Sequence, residues 1–518
     1  MSRQAQGSAL SLSALNLISK VLAVGKTMLI AALFGAGATL DAFWVAYSLP
    51  LLLPALLTTV VTVAFVPRFM SSLEGRSGPE VWRGANTLFT LIFTLSLIAA
   101  VSMSIHASSL VAWLAPGLAP GTHAKAVQLT RVLLPCVPLL TLSAILSAIS
   151  NAKERFLLPA LEGVITNITV MLFAVSFARS LGVDALTYGV LAGFVLQALV
   201  LIRGNWAMLR ENVRPAFAFR HPDFRAPAAH LLPLLVGSAG SVTTGLVNQY
   251  FLSNGGEGAI SAMAYAGMFA FLPVEVFAQA VITAFYPALG RHFAQGDKAA
   301  AADSFAEGVR FVLFLTLPCA VLLAVFSEPL MVLLLERGSF RPEDTALTAQ
   351  LTATLSLGLI FRAFAFFNYR VLHAALKPWL QVSIGLLGVA THLMLCSFWG
   401  KAYGAPGVAL AASLSMLQSA LLSLLAAAWV LGLRWHVRLA RELLRLVLIS
   451  GLMLALALWV RGWVWPVDLP ARPMAALVAI AAAAGVGATT LVVAGVLRQP
   501  DLLWLWAGLR ARLLRRAH

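Results

Sequence analysis

Apolar segments of about 20 residues recur along almost the whole chain. A helix of that length crosses roughly 30 Å of hydrocarbon, and all of its backbone hydrogen bonds are made within the segment. No ten-residue pattern of alternating polarity, typical of membrane barrels, is present. The sequence therefore predicts an all-α, polytopic membrane protein.

We predict fourteen transmembrane helices. The spans lie near 9–34, 40–69, 85–107, 127–150, 158–181, 186–209, 229–252, 260–288, 306–327, 344–373, 379–400, 405–432, 443–462 and 474–497. Lys and Arg concentrate on alternate connections, above all 203–225, 434–445 and the tail 498–516. The positive-inside rule places these segments in the cytoplasm, so both termini are predicted to be cytoplasmic.

The net charge of +16 does not indicate nucleic-acid binding, because no soluble domain is long enough to present a basic face. Cys136, Cys319 and Cys396 lie in apolar segments without metal-ligand spacing, and we interpret them as packing residues. No Walker A, HExxH or GxSxG motif occurs. We therefore expect no metal, no cofactor and no enzyme activity, and transport by a secondary mechanism is the remaining class.

The chain repeats itself weakly with a shift of 220 residues, which aligns Ala42–Pro67 with Ala262–Pro287. We predict two six-helix lobes, residues 1–222 and 223–442, in a parallel repeat with a pseudo-two-fold axis along the membrane normal. Residues 443–518 lie outside the repeat and contain two further spans and a basic tail.

Lys20 and Lys26 lie in the first apolar segment, where a cation at mid-bilayer costs roughly 2.5–3.5 kcal/mol. At 100° per residue, Asn16, Lys20 and Thr27 share one polar stripe of the helix, and Lys26 lies well round from it. Intramembrane cations usually face a wet cavity, which makes an anionic ligand the first hypothesis. The alternative is that both lysines snorkel or pair with a carboxylate such as Glu162 or Glu275.

Three further charged residues are candidates for a gate or for coupling. Asp41 begins the second span, where it serves either as a helix cap or as a gate at the outer mouth of a cavity. Glu275 lies near the middle of the eighth span, two residues after Pro273. Arg362, in the tenth span, is either a cavity cation or the partner of a carboxylate such as Glu162.

Several stretches carry a resemblance to a known family. They are FGAGATLDAFWVAYSLP, AFVPRF, SNAKERFLLPA, LLLERGSFRPEDT and the ALKP turn. Together they resemble the MurJ/MviN family of bacterial lipid II flippases, in the superfamily of drug and oligosaccharide exporters. The resemblance covers about residues 10–430.

The resemblance implies a V-shaped pair of lobes around a central cavity, in the bacterial inner membrane, with the last two spans forming a groove for a polyprenyl tail. It implies transport of an undecaprenyl-pyrophosphate-linked glycan, lipid II, for peptidoglycan and cell-wall synthesis. The partners are that lipid, membrane lipids and a monovalent cation or anion as coupling ion. Lys20 and Lys26 stand where the family usually has arginines, and Asp41 matches the family's aspartate.

The chain departs from the family pattern at two places. In the second span, the family's arginine pair and acidic-glycine motif are replaced, and in the eighth span an Asp-Arg pair is replaced. The residues found there are Leu53, Pro54, Ala55, Thr58 and Thr59, and then Gly267 and Met268. The loss of cations favours a weaker hold on pyrophosphate. The alternatives are therefore a flippase for an O-antigen or exopolysaccharide unit, a cation-coupled drug exporter, and a non-transporting scaffold.

Overall fold

A computed structural model describes residues 3–60, 78–153, 155–221, 231–432, 437–465 and 472–496. These residues form α-helices, two short π-helical segments and connecting turns, and no strand. The fold class predicted from the sequence is confirmed. The basic tail, the end of the second predicted span and part of the connection between the predicted lobes lie outside the described residues.

A described helix overlaps each of the fourteen predicted spans. Among the described residues, 11 helices are long and apolar enough to cross a membrane by length and composition, and the number rises to 12 if one bent pair, Pro120–Leu133 and Cys136–Asn151, is counted as a span. The pair bends by 40° at Pro135, whose ring removes a backbone donor and clashes with the preceding turn. A count of fourteen is consistent with these helices, although length and composition alone do not establish it.

Packing divides the chain into two compact units. Unit 1 is 1–261 with 337–340, and unit 2 is 262–336 with 341–518. The predicted boundary at 222/223 describes the sequence repeat and stays a prediction.

Unit 1 contains eleven described helices. They are α1 (Arg3–Phe34), α2 (Ala38–Val60), α3 (Gly78–Ile105), α4 (Ala107–Leu114), α5 (Pro120–Leu133), α6 (Cys136–Ala152), α7 (Leu157–Ala160), α8 (Glu162–Leu181), α9 (Asp184–Gly204), α10 (Trp206–Asn212) and α11 (Leu231–Leu252).

The centre of unit 1 is α2, which packs on α5, α6 and α11. Its residues Leu40, Ala42, Val45 and Ala46 are fully buried. Ala42, Val45 and Ala46 share one face of the helix, and Leu40 lies on the opposite face from Ala42, so neighbouring helices enclose α2 on both sides. In contrast, α1 packs within this unit mainly on α8 and the short α7.

Unit 2 contains the other helices. They are α12 (Ala259–Pro273, whose first three residues belong to unit 1), a π segment (Val274–Ala278), α13 (Gln279–Ala294), α14 (Lys298–Val325), α15 (Ser327–Leu334), α16 (Pro342–Ala374), α17 (Pro378–Leu395), a second π segment (Cys396–Gly400), α18 (Lys401–Tyr403), α19 (Ala405–Leu431), α20 (Val437–Val464) and α21 (Arg472–Val496).

The long helix α16 is central in unit 2 and packs on α19, α14 and α13. Phe305 of α14 stacks on Phe367 of α16 with ring centroids 6.0 Å apart. The Phe367 ring also occupies the space that a Cβ at Gly308 would need, so only glycine permits this close approach of the two helices.

The two C-terminal helices, α20 and α21, pack on α14 and α15 through a buried apolar cluster that includes Phe326, Met453 and Ala483. Beside this cluster, the carboxylate of Glu328 forms ion pairs with Arg461 and Arg472, each with an N–O distance of 3.4 Å. The helices that lie outside the sequence repeat are therefore joined to unit 2 by both apolar packing and ion pairs.

Candidate functional site

The two predicted cavity cations lie on one unbroken helix. No kink interrupts α1 between Lys20 and Lys26, so six residues separate their backbones by about 9 Å along the axis. Both side chains are half-buried. The spacing inferred from the sequence therefore holds in the structure, and the ammonium groups leave the helix in different directions.

Lys26 carries a charge that no anion among the described residues balances. Among all residues that the structure describes, none forms an ion pair or hydrogen bond with its ammonium group. Lys20 differs, because it takes part in an interaction within the structure. A half-buried cation without a carboxylate is stabilised by an anion brought from outside, which is what a binding site for phosphate requires.

Glu162, considered from the sequence as a partner for these lysines, is bound elsewhere. Its two carboxylate oxygens accept hydrogen bonds from Ser147 of α6 and from Gln197 of α9, the second at 3.0 Å. Glu162 thus connects three helices of unit 1. Its role in the described residues is a polar cross-link of the kind expected between membrane helices.

The other two residues of the predicted stripe differ in their surroundings. Asn16 is exposed, whereas Thr27 is only 8% exposed. The Thr27 hydroxyl donates to the Ala23 carbonyl of its own helix at 2.9 Å, which leaves its oxygen only an acceptor role. A phosphate oxygen needs donors, so Thr27 contributes less to an anion site than the sequence pattern indicates.

Among the described carboxylates of unit 1, Asp41 accepts the most hydrogen bonds. Its Oδ1 accepts from the Ser261 amide at 2.8 Å and from the Ser261 hydroxyl at 2.6 Å, and its Oδ2 accepts from the Gly258 amide at 2.7 Å. Both amides lie at the start of α12, where backbone donors have no partner inside the helix. Asp41 therefore caps a helix other than its own.

Asp41 and Ser261 are separated by the 220 residues of the sequence repeat, so they are equivalent positions in the two halves. Ser261 was missed by reasoning from the sequence. The repeat alignment contained the signal, because positions that meet their own equivalents lie close to a pseudo-two-fold axis.

Glu275 lies in the π segment that follows Pro273. The proline lacks an amide hydrogen and crowds the preceding turn, and a π segment is one way in which a helix absorbs that defect. The side chain of Glu275 is exposed. Single-turn π segments inside α-helices are frequent at functional sites.

Arg362 of α16 lies close enough to Glu275 for an electrostatic interaction. Its guanidinium carbon is 4.5 Å from the centroid of the Phe271 ring, a cation–π distance. The structure thus brings together two of the predicted gate residues in unit 2 and adds Phe271, which reasoning from the sequence missed. Glu275 and Arg362 are both exposed within apolar helices, a position that such charges occupy where water reaches them.

Metal-dependent chemistry has no obvious location in the described ranges, where no group of three or more His, Cys, Asp or Glu side chains could hold a metal ion. The three cysteines are free thiols, and Cys136 and Cys396 are buried.

The apolar helices and their arrangement define the class of protein: a multi-pass membrane protein whose fold is that of several solved membrane proteins. A solved structure titled "Inward-facing conformation of a multidrug resistance MATE family transporter of the MOP superfamily" aligns over 80% of this chain and 94% of its own, with a TM-score of 0.65 and 14% identity. A second, titled "Lipid II flippase MurJ, inward closed conformation", aligns over 95% of this chain and all of its own, with a TM-score of 0.81 and 22% identity. At these identities, both likenesses show the fold.

The chain belongs to the MurJ family: the family described as "Lipid II flippase MurJ" matches residues 30–467. A protein of Rhizobium meliloti (strain 1021), named "Probable lipid II flippase MurJ", is 31% identical over 344 residues, which are 64% of this chain and 63% of that protein. The "Lipid II flippase MurJ" of Burkholderia cenocepacia is 27% identical over 68% of this chain and 70% of its own length. The chain therefore spans somewhat less than two thirds of the Rhizobium meliloti relative. Membership of this family confirms the resemblance stated from the sequence and indicates a multi-pass protein of the bacterial inner membrane.

Proposed function

We propose that the chain is a flippase that moves a polyprenyl-pyrophosphate-linked glycan, most directly lipid II, across the bacterial inner membrane by alternating access. The single observation that carries the proposal is Lys26, a half-buried cation of an apolar helix that no described residue neutralises. A pyrophosphate supplies the missing charge. Family membership adds that the relatives bear the name of lipid II flippases.

In this proposal Lys26 binds the pyrophosphate, and Lys20, whose backbone lies about 9 Å away along α1 and on another side of the helix, contacts a different part of the head group. Asn16 offers an exposed amide to the sugar or phosphate. Thr27 can only accept a hydrogen bond, so it contacts a hydroxyl of the glycan rather than a phosphate.

Asp41 and the Glu275–Arg362 pair act as gates. The hydrogen bonds of Asp41 to Gly258 and Ser261 hold the start of α12 in one state of the cycle and break in the other. The Glu275–Arg362 pair offers a site where a monovalent coupling ion, cation or anion, competes for one member of the pair.

The polyprenyl tail lies along α20 and α21. An apolar crevice of about 110 Å³ between these helices, lined by residues such as Leu452 and Leu456, supports this part of the proposal. The topology is the one predicted from the positive-inside rule, with both termini in the cytoplasm.

The test is complementation. A bacterium is depleted of its own lipid II flippase and supplied with this chain, and growth is followed together with the amount of protein in the membrane. We expect growth to be restored. Cell lysis despite a normal amount of this protein in the membrane would exclude lipid II as the substrate.

A second candidate is a flippase for a different polyprenyl-linked glycan, such as an O-antigen or exopolysaccharide unit. The observation that favours it is the absence of the family's charged residues at Gly267 and Met268. The test uses a strain that lacks the flippase for that glycan. This candidate would be established if the chain restored surface polysaccharide there and did not restore growth of the strain depleted of its lipid II flippase.

A further inference from the structure

An apolar groove of about 560 Å³ runs between α1 and α8 in unit 1. Its described lining consists of apolar residues of α1 and α8 and one charged side chain, Arg337; the apolar residues are Leu22, Gly25, Met28, Leu29, Ala32, Ile168, Met171, Leu172 and Val175. Gly25 opens the groove further, since the nearest atom to a Cβ at this position would be Met171 Cε at 4.0 Å. The volume falls within the range of about 300–1,000 Å³ that is typical of ligand pockets.

The length of the groove matches one leaflet of a membrane. Ten residues separate Leu22 from Ala32, which corresponds to about 15 Å of helix. That is about half of a hydrocarbon core roughly 30 Å thick. An acyl chain of a single leaflet fits this length, whereas the much longer tail of a polyprenyl lipid would extend beyond it.

Arg337 is fixed at one end of the groove by its own segment. The amide of Ser339 donates to the Ala32 carbonyl at 2.8 Å, and its hydroxyl donates to the Leu33 carbonyl at 3.0 Å. Gly338, with a φ of +61°, has no room for a Cβ against the backbone of Ala32. The segment is therefore held tightly on the last turn of α1, where the apolar span Ala14–Phe34 ends.

A second groove in the same unit offers a comparison. It lies between α8 and α9, has a volume of about 520 Å³ and includes Ala192, Tyr188 and Leu196 in its lining. None of its described lining residues is charged. The two grooves differ chiefly in Arg337, which lies at the end of the groove between α1 and α8.

We propose that the groove between α1 and α8 is a binding site for a glycerophospholipid, with one acyl chain in the groove and its phosphate on Arg337. A guanidinium has five donors in a planar fork, so Arg337 can bind a phosphate oxygen pair and keep its interaction within the protein. The site is independent of the transported head group and lies on the predicted periplasmic half of α1.

The experiment is native mass spectrometry of the purified full-length protein in detergent, with phosphatidylglycerol added and diacylglycerol of the same chains as the neutral probe. We compare the wild type with Arg337→Gln and Gly25→Leu. Ala192→Leu, which fills the second groove, is the matched control. Arg337→Gln removes the phosphate contact, and Gly25→Leu fills the groove without a backbone clash.

The wild type and Ala192→Leu should retain one phosphatidylglycerol, and both other variants should bind it at least about tenfold more weakly. Arg337→Lys should lie between the wild type and Arg337→Gln, because the charge remains and the fork is lost. Diacylglycerol should bind all five chains weakly.

Equal retention by the wild type, Arg337→Gln and Gly25→Leu would show only non-specific annular lipid and would overturn the proposal. Tight binding of diacylglycerol would exclude a role for the phosphate. Retention of a polyprenyl pyrophosphate in place of phosphatidylglycerol would assign the groove to the transported lipid instead. Because the readout is bound lipid, a failure of the complementation test leaves this result unaffected.

Discussion

Lys26 of unit 1 and Arg362 of unit 2 are both cations in apolar helices, and they have opposite surroundings. Lys26 has no ion-pair or hydrogen-bond partner among the described residues. Arg362 lies beside the Glu275 carboxylate and over the Phe271 ring. The first charge is available for a ligand, whereas the second is already compensated by the protein.

This comparison indicates that the role of an intramembrane charge is better inferred from its partners in the structure than from its position in the sequence. A charge with many partners stabilises one arrangement of the helices, and its loss destabilises the fold. A charge without partners costs stability, and its loss impairs the binding of a ligand. The following substitutions test this rule, in order of decreasing effect.

Asp41→Ala should have the largest effect, because Asp41 has the most partners. Removal leaves the amides of Gly258 and Ser261 buried without an acceptor, at about 1–3 kcal/mol for each unsatisfied donor. We expect a lower thermal unfolding midpoint in detergent and faster amide hydrogen exchange at 258–261. Asp41→Asn should lower the unfolding midpoint less than Asp41→Ala does, since one acceptor oxygen remains.

The control for Asp41 is Asp297→Ala, which removes an exposed helix cap with one bond to the Ala300 amide, at a cost of about 1 kcal/mol. If Asp41→Ala were no more destabilising than Asp297→Ala, the number of partners would not predict stability.

Lys26→Met should impair transport and leave membrane abundance unchanged. A charge-assisted contact to phosphate contributes roughly 1.5–3 kcal/mol, so binding of the head group should weaken by about ten- to a hundredfold. Deleting a cation from an apolar helix also removes an insertion cost. Lys26→Arg should keep activity because it retains the charge. The measurement is complementation together with immunoblotting of membranes.

Lys20→Met sharpens this test, since Lys20 has an interaction within the protein that Lys26 does not. We expect transport and abundance to fall together at Lys20. Normal transport with reduced abundance at Lys26 would reverse the assignment and make Lys26 a structural residue.

Glu275→Gln and Arg362→Met should each reduce transport moderately, and the double variant should recover part of the loss. Each single change leaves one exposed intramembrane charge uncompensated, whereas the double change removes both. A double-mutant cycle on transport should give a coupling of about 0.5–2 kcal/mol. Additive losses would mean that the two residues act separately.

Glu328→Gln should have the smallest effect. The carboxylate and its partners Arg461 and Arg472 are each about one third exposed, at 31%, 34% and 34%. Exposed ion pairs contribute about 0–1 kcal/mol, because water competes for both charges. The unfolding midpoint should shift little, and less at high salt. A decrease of the unfolding midpoint as large as that caused by Asp41→Ala would show that the ion pairs, rather than the apolar cluster, hold α20 and α21 on the rest of unit 2.

The fold was predictable because its signal is local. Each span needs about 20 apolar residues, and that requirement is visible in the sequence without reference to other spans. The bend at Pro135 was visible as a proline, but the sequence gives no measure of its angle. The π segment after Pro273 was not predictable, since neighbouring helices decide how a helix absorbs a proline.

The individual residues of the candidate site were predictable from the sequence, whereas their contacts with one another were not. Lys20, Lys26, Glu275 and Arg362 are recognisable as rare charges in apolar spans, but their partners depend on contacts that are distant in the sequence. The proximity of Arg362 to Glu275, of Glu162 to Gln197, and of Asp41 to Ser261 follows from how helices pack. Of these, only the last had a signal in the sequence, through the repeat.

The cap that Ser339 places on α1 also has a consequence for biosynthesis. Its hydroxyl reaches the Leu33 carbonyl across 306 residues of chain. At a translation rate of about 5–20 residues per second, about 15–60 s pass between synthesis of the first helix and arrival of its cap. During that interval the last carbonyls of α1 depend on water or lipid head groups, so the first helix to enter the membrane is among the last to have its end completed.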